Sequence, residues 1–277
     1  LNSSKKPKLG QNFLNDSGAA EKIVDALGDI SRTVVIEIGP GKGVLTKTLA
    51  RRAHRLIAIE LDRMLAAELR FLHSGNSAVE IIEGDVLNMD FRTVLHRTIG
   101  PLNDLRPQRP EPARVIGNLP YYITSDILLR LFEFHDQFDL IVIMVQREVA
   151  DRIAAHPGTR DYGLLSATAQ LYTEVEQLFT LPPGAFAPPP KVHSTVLRLR
   201  VAPRFDELRL EPKKFISFLK IAFAMKRKTL MNNLRKNYSD ETLRSGLMQA
   251  DIRPDARAEA LSLEKMAALF HTLHVAG

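Results

Sequence analysis

Five short strand-like runs lie between Thr33 and Val145, most of them separated by helix-like segments, and this alternation limits the fold more than any other feature. Thr33 to Ile38 reads as a buried strand ending at Gly39, and Val44 to Ala53 follows with helical spacing that turns Leu45 and Leu49 inward. Arg55 to Glu60 is a second strand, Asp62 to Leu72 a helix, and Val79 to Ile82 a third strand ending at Glu83-Gly84-Asp85. Arg114 to Gly117, a helix over Ser125 to Phe134, and Asp139 to Val145 complete the series. Strands separated by helices pair in parallel, so the expected class is α/β with a doubly wound sheet.

Two β-rich stretches, Glu174 to Leu181 and Val192 to Val201, flank Pro182-Pro183 and Pro188-Pro189-Pro190 and read as an antiparallel addition, giving seven strands. After Ala202-Pro203 the character changes. Phe215, Leu219, Ala222 and Phe223 have helical spacing, as do Leu261, Lys265, Ala268 and Leu269. The expected division is residues 1–202 as a Rossmann-like sheet domain and 203–277 as a small all-helical domain. Ala19, Ile23, Ala26, Leu27 and Ile30 fit one face of an N-terminal helix, and no internal repeat is evident.

The chain has 277 residues and no cysteine. Disulfides, thiolate nucleophiles and cysteine-ligated zinc or iron–sulfur sites are therefore excluded, and a reducing, cytoplasmic setting is expected. The longest apolar run, Leu140 to Val145, is far below the ~20 residues of a membrane span. Lys5-Lys6-Pro7-Lys8 leads into Gly10, Gln11 and Asn12, without the apolar core of a signal peptide. Leu1 stands where a methionine would begin the chain, so a missing start is expected. The loop over Gly100 to Ala113 holds four prolines and reads as irregular.

The net charge of +6 is concentrated toward the end. From Val201 onward 14 Lys or Arg stand against 9 Asp or Glu, whereas residues 1–200 carry 24 against 23. Pro212 to Tyr238 contains Lys213, Lys214, Lys220, Lys226, Arg227, Lys228, Arg235 and Lys236 and no acid. Such a block is the footprint of a polyanion partner, or else a solvated helix face.

Glu37-Ile38-Gly39-Pro40-Gly41-Lys42-Gly43 closes the first strand and opens a helix, where glycines let the backbone approach a ligand. Its G-x-G-x-G spacing differs from the dinucleotide fingerprint, and Pro40 removes one amide from any pyrophosphate cradle. A bare tight turn would also use glycine. Glu60 ends the second strand, where an acid can hold ribose hydroxyls, and Asp85 ends the third, where it can meet an adenine edge. Either acid alone could be a helix N-cap. Together with the loop they point to an adenosine-containing cofactor, without separating a nicotinamide dinucleotide from S-adenosylmethionine.

Asn118-Leu119-Pro120-Tyr121 follows the fourth strand directly, and Pro120 makes the turn stiff and Leu119 extended. The exocyclic amine of adenine is a poor nucleophile because its lone pair is delocalised into the ring. The Asn118 side-chain oxygen and the Leu119 carbonyl could accept both of its N–H groups and draw the nitrogen toward tetrahedral geometry. Tyr121 could stack on the base. Such chemistry needs neither a metal nor a covalent intermediate, only positioning and hydrogen bonding.

At this point the chain resembles the ribosomal RNA adenine N6,N6-dimethyltransferases nearly end to end. Gly10-Gln11-Asn12-Phe13-Leu14, the Glu37 to Gly43 loop, Glu60-Leu61-Asp62, Gly84-Asp85, Asn118 to Tyr121 and Phe186-Ala187-Pro188-Pro189-Pro190-Lys191-Val192 match in order. The resemblance implies a seven-stranded methyltransferase sheet and S-adenosylmethionine as cofactor, released as S-adenosylhomocysteine. It implies cofactor contacts from Gln11, Asn12, Leu14, Gly39, Gly41, Glu60, Leu61, Asp85 and Val86. Asn118 would meet both cofactor and target amine, and Phe186 would face Tyr121 across a base extruded from its stack. Without the family, Phe186 reads as a packed loop aromatic, Tyr122 as core, and His193 as structural. Gln146-Arg147-Glu148 reads as a helix start or an RNA-facing edge.

Ala222 to Leu230, with Asn232-Asn233-Leu234 after it, is similar to the bacterial small-subunit, kasugamycin-sensitivity branch of the family. That branch dimethylates two adjacent adenosines in a hairpin near the 3′ end of small-subunit RNA. Lys220, Lys226, Arg227, Lys228, Arg235 and Lys236 are then the candidate RNA contacts, with an immature small subunit as partner and a monomer as default. The rival readings are a large-subunit methyltransferase of the macrolide-resistance type, a non-catalytic RNA-binding assembly factor, a nicotinamide-dependent oxidoreductase and a DNA adenine methyltransferase.

Overall fold

The computed structural model describes residues 12–99, 112–120 and 122–275. Gln11, Tyr121, the basic start and nearly all of the Pro-rich loop lie outside them. The strands are β1 (Phe13–Leu14), β2 (Val34–Ile38), β3 (Arg55–Glu60), β4 (Val79–Glu83), β5 (Ala113–Asn118), β6 (Phe138–Gln146), β7 (Thr173–Leu181), β8 (Phe186–Ala187) and β9 (Ser194–Val201). The helices are α1 (Ser17–Asp25), α2 (Val44–Arg52), α3 (Arg63–Leu72), α4 (Phe91–Ile99), α5 (Thr124–Glu133), α6 (Arg147–Ile153), α7 (Leu164–Tyr172), α8 (Pro212–Ala222), α9 (Leu230–Leu234), α10 (Asp240–Gln249) and α11 (Leu263–Val275).

Seven strands form one sheet in the order β4-β3-β2-β5-β6-β9-β7. The pairs β4–β3, β3–β2, β2–β5 and β5–β6 are parallel, in keeping with the alternation of apolar runs and helices. The chain winds outward from β2 through β3 to β4, then returns to the other side of β2 with β5. This reversal opens a crevice at the carboxyl ends of β2 and β5, where ligands bind in open α/β sheets. Gly117 lets the two strands close there, since a Cβ on it would stand 2.7 Å from the Ile38 carbonyl oxygen.

Local signals set the helix starts. Asp62, read above as helical, is instead the N-cap of α3 and accepts from the amides of Met64 and Leu65 at 2.8 and 3.2 Å. Asp16 caps α1 in the same way, through the amide of Ala19 at 2.9 Å.

The chain divides into two compact units, residues 1–147 with 178–198, and 148–177 with 199–277. The expected boundary at 202/203 falls inside the second unit. In the first, Ala19, Ile23, Ala26, Leu27 and Ile30 are all buried, packed with Leu45, Leu49, Ile116 and Val142, but only Ala19 and Ile23 lie on a helix, because α1 ends at Asp25 and the chain turns before Leu27 and Ile30. A second aromatic cluster sets Phe91 edge-on to Phe134 and Phe138, with centroids 5.4 Å apart in each pair. In the second unit Phe215, Phe218 and Phe270 form the centre, with Phe270 5.3 and 5.6 Å from the other two rings. Arg204 joins Glu207 and Glu264 there, each at 2.7 Å. Among the described residues no helix is long and apolar enough to cross a membrane.

Candidate active site

Four strand ends of the first unit build the site. After β2, Gly39, Gly41 and Gly43 all adopt positive φ, and the amide of Gly43 closes a turn onto the Pro40 carbonyl at 2.9 Å. Gly41 and Gly43 are both constrained, and a Cβ on Gly43 would stand 2.7 Å from the Leu69 side chain. The φ of Gly41 is +57°, and a Cβ on it would meet the ring of Phe13 at 2.8 Å. Lys42 reaches back over the same ring, its Nζ 5.2 Å from the centroid.

After β3, Glu60 is 3% exposed and holds the glycine loop in place. Its Oε2 accepts from the amide of Gly41 at 3.0 Å and its Oε1 from that of Asp62 at 2.9 Å. Each carboxylate oxygen retains a second lone pair for a hydroxyl donor. After β4, Asp85 caps a one-turn 3-10 helix: Oδ1 accepts from the Leu87 amide at 2.9 Å and Oδ2 from the Asn88 side chain at 3.1 Å. The N-cap alternative therefore holds for Asp85, which lines the pocket as well.

After β5, Leu119 is buried and its amide extends the β5–β6 ladder to the Met144 carbonyl at 3.1 Å. The Pro120 carbonyl is taken by the Thr124 hydroxyl at 3.0 Å and the Ile123 amide at 3.3 Å, which anchors the start of α5. Asn118 is half-buried, and its Nδ2 donates to the main-chain oxygen of Asn12 at 3.1 Å. That bond fixes the amide's orientation and leaves Oδ1 as the acceptor.

One pocket gathers most of the predicted residues: Asn12, Leu14, Gly39, Gly41, Glu60, Leu61, Asp85, Val86, Asn118, Leu119 and Pro120 all line it. Gln11 and Tyr121 lie outside the described residues. Phe186 is not brought to the pocket wall. It is 4% exposed, paired with Leu14 across the β1–β8 ribbon and packed in the apolar core. In this conformation it is the packed aromatic that the bare sequence suggested, because the ribbon turns its ring inward.

Three wall residues were missed or misread. Tyr122, expected in the core, is 63% exposed at the pocket. Phe13 was legible only as part of a motif. Glu37 lies at the pocket 1% exposed, and its Oε2 has no hydrogen-bond partner. Burial pushes its pKa up to about 8. An acid two residues before the first glycine of the loop was the available signal. Among the described residues no cluster of three or more His, Asp or Glu is placed to hold a metal ion.

The candidate RNA contacts lie in the second unit. Lys220, Arg227, Lys228 and Lys236 are exposed. Lys226 is exposed too, with its Nζ donating to the Arg160 carbonyl at 2.9 Å. Arg235 is engaged by Asp240 at 3.2 Å and Lys214 by Glu211 at 2.6 Å, acids that flank the acid-free run.

A doubly wound sheet with a glycine loop at its switch point and acids ending the next two strands defines a nucleotide-cofactor domain of the Rossmann-like methyltransferase kind. The family model described as ribosomal RNA adenine dimethylase matches residues 2–274, and the chain belongs to that family. It is 60% identical over 270 residues to a protein of Koribacter versatilis named ribosomal RNA small subunit methyltransferase A, covering 98% of this chain and 95% of that one. A protein of the same name from Acidobacterium capsulatum is 52% identical, over 97% of this chain and 91% of the relative. Among solved structures, the 23S rRNA methyltransferase ErmE superposes with a TM-score of 0.66 at 26% identity, covering 95% of this chain and all of that one. A dimethyladenosine transferase from Plasmodium falciparum shares the fold, with a TM-score of 0.73 at 23% identity over 95% of this chain and 98% of its own.

Proposed function

We propose that this chain transfers methyl groups from S-adenosylmethionine to N6 of two adjacent adenosines in a hairpin near the 3′ end of small-subunit ribosomal RNA, as a cytoplasmic monomer acting on an immature subunit. The observation that carries the reading is the Asn118-Leu119-Pro120 turn at the carboxyl end of β5, with Asn118 Oδ1 oriented by the bond from Nδ2 to Asn12. The 60% identity to a relative named for the small subunit supports that target.

The residues present suit the cofactor. S-adenosylmethionine would supply an electrophilic methyl group on a positively charged sulfur, together with ammonium and hydroxyl donors. Glu37 Oε2 is a buried carboxyl oxygen without a partner, and Glu60 is a buried carboxylate with lone pairs to spare, so the pocket holds unmet polar capacity for a ligand with ammonium and hydroxyl groups. Gly39, Gly41, Asn12, Leu14, Leu61, Asp85 and Val86 would enclose it.

The chain's own chemistry is positional. Asn118 Oδ1 and the Leu119 carbonyl accept the two N–H groups of the adenine amine, which localises the nitrogen lone pair and aims it. The nitrogen gains a carbon bond as the methyl group leaves its sulfur, then gives its proton to water, so no side-chain base is required. A monomethylated amine has one N–H left, and in the second transfer a single acceptor holds it. Lys220, Lys226, Arg227, Lys228 and Lys236 would bind the RNA backbone.

The deciding experiment offers labelled S-adenosylmethionine to unmethylated small subunits, large subunits and DNA, then maps the product. Dimethyladenosine confined to small-subunit RNA is expected. Label in large-subunit RNA would favour the activity in the name of ErmE instead, and cofactor binding without any transfer would favour an assembly factor.

A further inference from the structure

Eight large apolar side chains are exposed among the described residues, and two of these, Leu61 and Tyr122, line the site pocket. Scattered exposed apolar groups are ordinary, but an aromatic ring left 63% open at the mouth of a concave site is not explained by packing. The two occupy different sides. Leu61 follows Glu60 at the end of β3, whereas Tyr122 lies four residues past Asn118 at the end of β5. With β2 between those strands, their ends are about 10 Å apart. Leu61 therefore belongs with the ribose-holding acid and Tyr122 with the amine acceptors. Tyr122 also sits on a short turn clamped on one carbonyl, since Ile123 N and Thr124 Oγ1 both donate to Pro120 O.

We infer that Tyr122 is the stacking platform for the nucleobase next to the adenine being methylated. The inference rests on the adenine-methyltransferase reading above and adds the recognition of a neighbour. A base turned out of a helix deprives the adjoining base of a stacking partner, and single-stranded bases recover that loss on aromatic side chains. The acceptors lie deeper, with Leu119 1% exposed, so the target belongs inside and the open ring serves what remains at the mouth. With two adjacent adenosines the roles exchange between rounds. A methylated adenine keeps its π face, so the platform serves whichever base is outside.

The test uses the full chain and small ribosomal subunits reconstituted with RNA whose neighbouring adenosine either keeps its base or is abasic. On intact RNA, Tyr122→Ala and Tyr122→Leu are expected to lower kcat/KM about 10-fold, and Tyr122→Phe to stay within about two-fold of the parent. On abasic RNA the parent falls by the same factor and Tyr122→Ala falls no further. Titration calorimetry with S-adenosylmethionine shows unchanged affinity for Tyr122→Ala. Undiminished activity of Tyr122→Ala and Tyr122→Leu, losses that multiply between protein and RNA changes, or a weakened cofactor affinity would each overturn the inference. A parent chain that transfers no methyl group to intact subunits would instead sink the functional reading on which it rests.

Discussion

The Asn118 side-chain nitrogen donates to the main-chain oxygen of Asn12 across 3.1 Å, between residues 106 apart in sequence. One bond thus aims the candidate amine acceptor and ties the pocket wall at residues 12–14 to β5. Asn118→Ala should cut methyl incorporation at least about 100-fold, with the melting temperature nearly unchanged. Asn118→Asp should do the same and also weaken cofactor binding, because its carboxylate faces the Asn12 oxygen. Mass spectrometry of the RNA and calorimetry read both effects, and full activity of Asn118→Ala would remove the residue from the chemistry.

Gly41 faces two obstacles to any side chain, its φ of +57° and the Phe13 ring 2.8 Å from a built Cβ. Gly41→Ala should lower the melting temperature and weaken cofactor affinity about 10-fold or more. Adding Phe13→Ala removes the collision but not the backbone strain. The double variant should therefore recover part of the lost stability and little of the affinity; no recovery would mean the ring is not the obstacle.

Glu37 carries a pH signature. Burial raises its pKa from 4.5 to about 8, and Glu60 nearby acts in the same direction. Below about pH 4.5 the acid is protonated both folded and unfolded, and its burial costs no ionisation. Between there and about pH 8 the unfolded chain releases this proton and the folded chain keeps it, so stability declines as pH rises. Glu37→Gln lacks this slope. Its advantage in melting temperature should widen by several degrees, more than about 4 °C, between about pH 5 and about pH 8, then level off. Thermal unfolding without cofactor, in a pH series, measures this; parallel curves would show that Glu37 ionises freely in the fold.

The basic turn after α8 is testable through salt. Lys226→Gln, Arg227→Gln and Lys228→Gln together should reduce the slope of log affinity for RNA against log salt by up to about 3. Glutamine at 226 keeps an N–H donor for the Arg160 carbonyl. Cofactor affinity should not move. An unchanged slope would make the run a solvated face.

Much of the fold was legible because local physics dictates it. Alternating apolar runs set the parallel strands, and the spacing of Ala19 and Ile23 marked the first helix, although it carried the helix past Asp25, where the structure ends it. Helix α7 escaped because it is buried on nearly every side, with polar Ser166 and Thr168 as deep as Ala167, Ala169, Leu171 and Tyr172, so no apolar face stands out. The β1–β8 ribbon escaped for a different reason: it joins Leu14 to Phe186 through main-chain pairing, which leaves no trace in side-chain pattern. That ribbon buries Phe186, which the bare sequence had also read as a packed aromatic. Tyr122 was misread because an aromatic after a strand reads as core until its neighbours are known.

By itself the sequence determined the sheet's class, the glycine loop, the two acids and the Asn-Leu-Pro turn, since each depends on residues within a few positions of one another. Tertiary structure alone decided that Glu60 holds the glycine loop, that Asn12 orients Asn118, and that Glu37 lies buried at the pocket with an oxygen unmatched by any protein group. Hydrogen-bond partners, burial and dielectric are properties of what surrounds a group in space. They come into being only when strands distant in the chain close on one another.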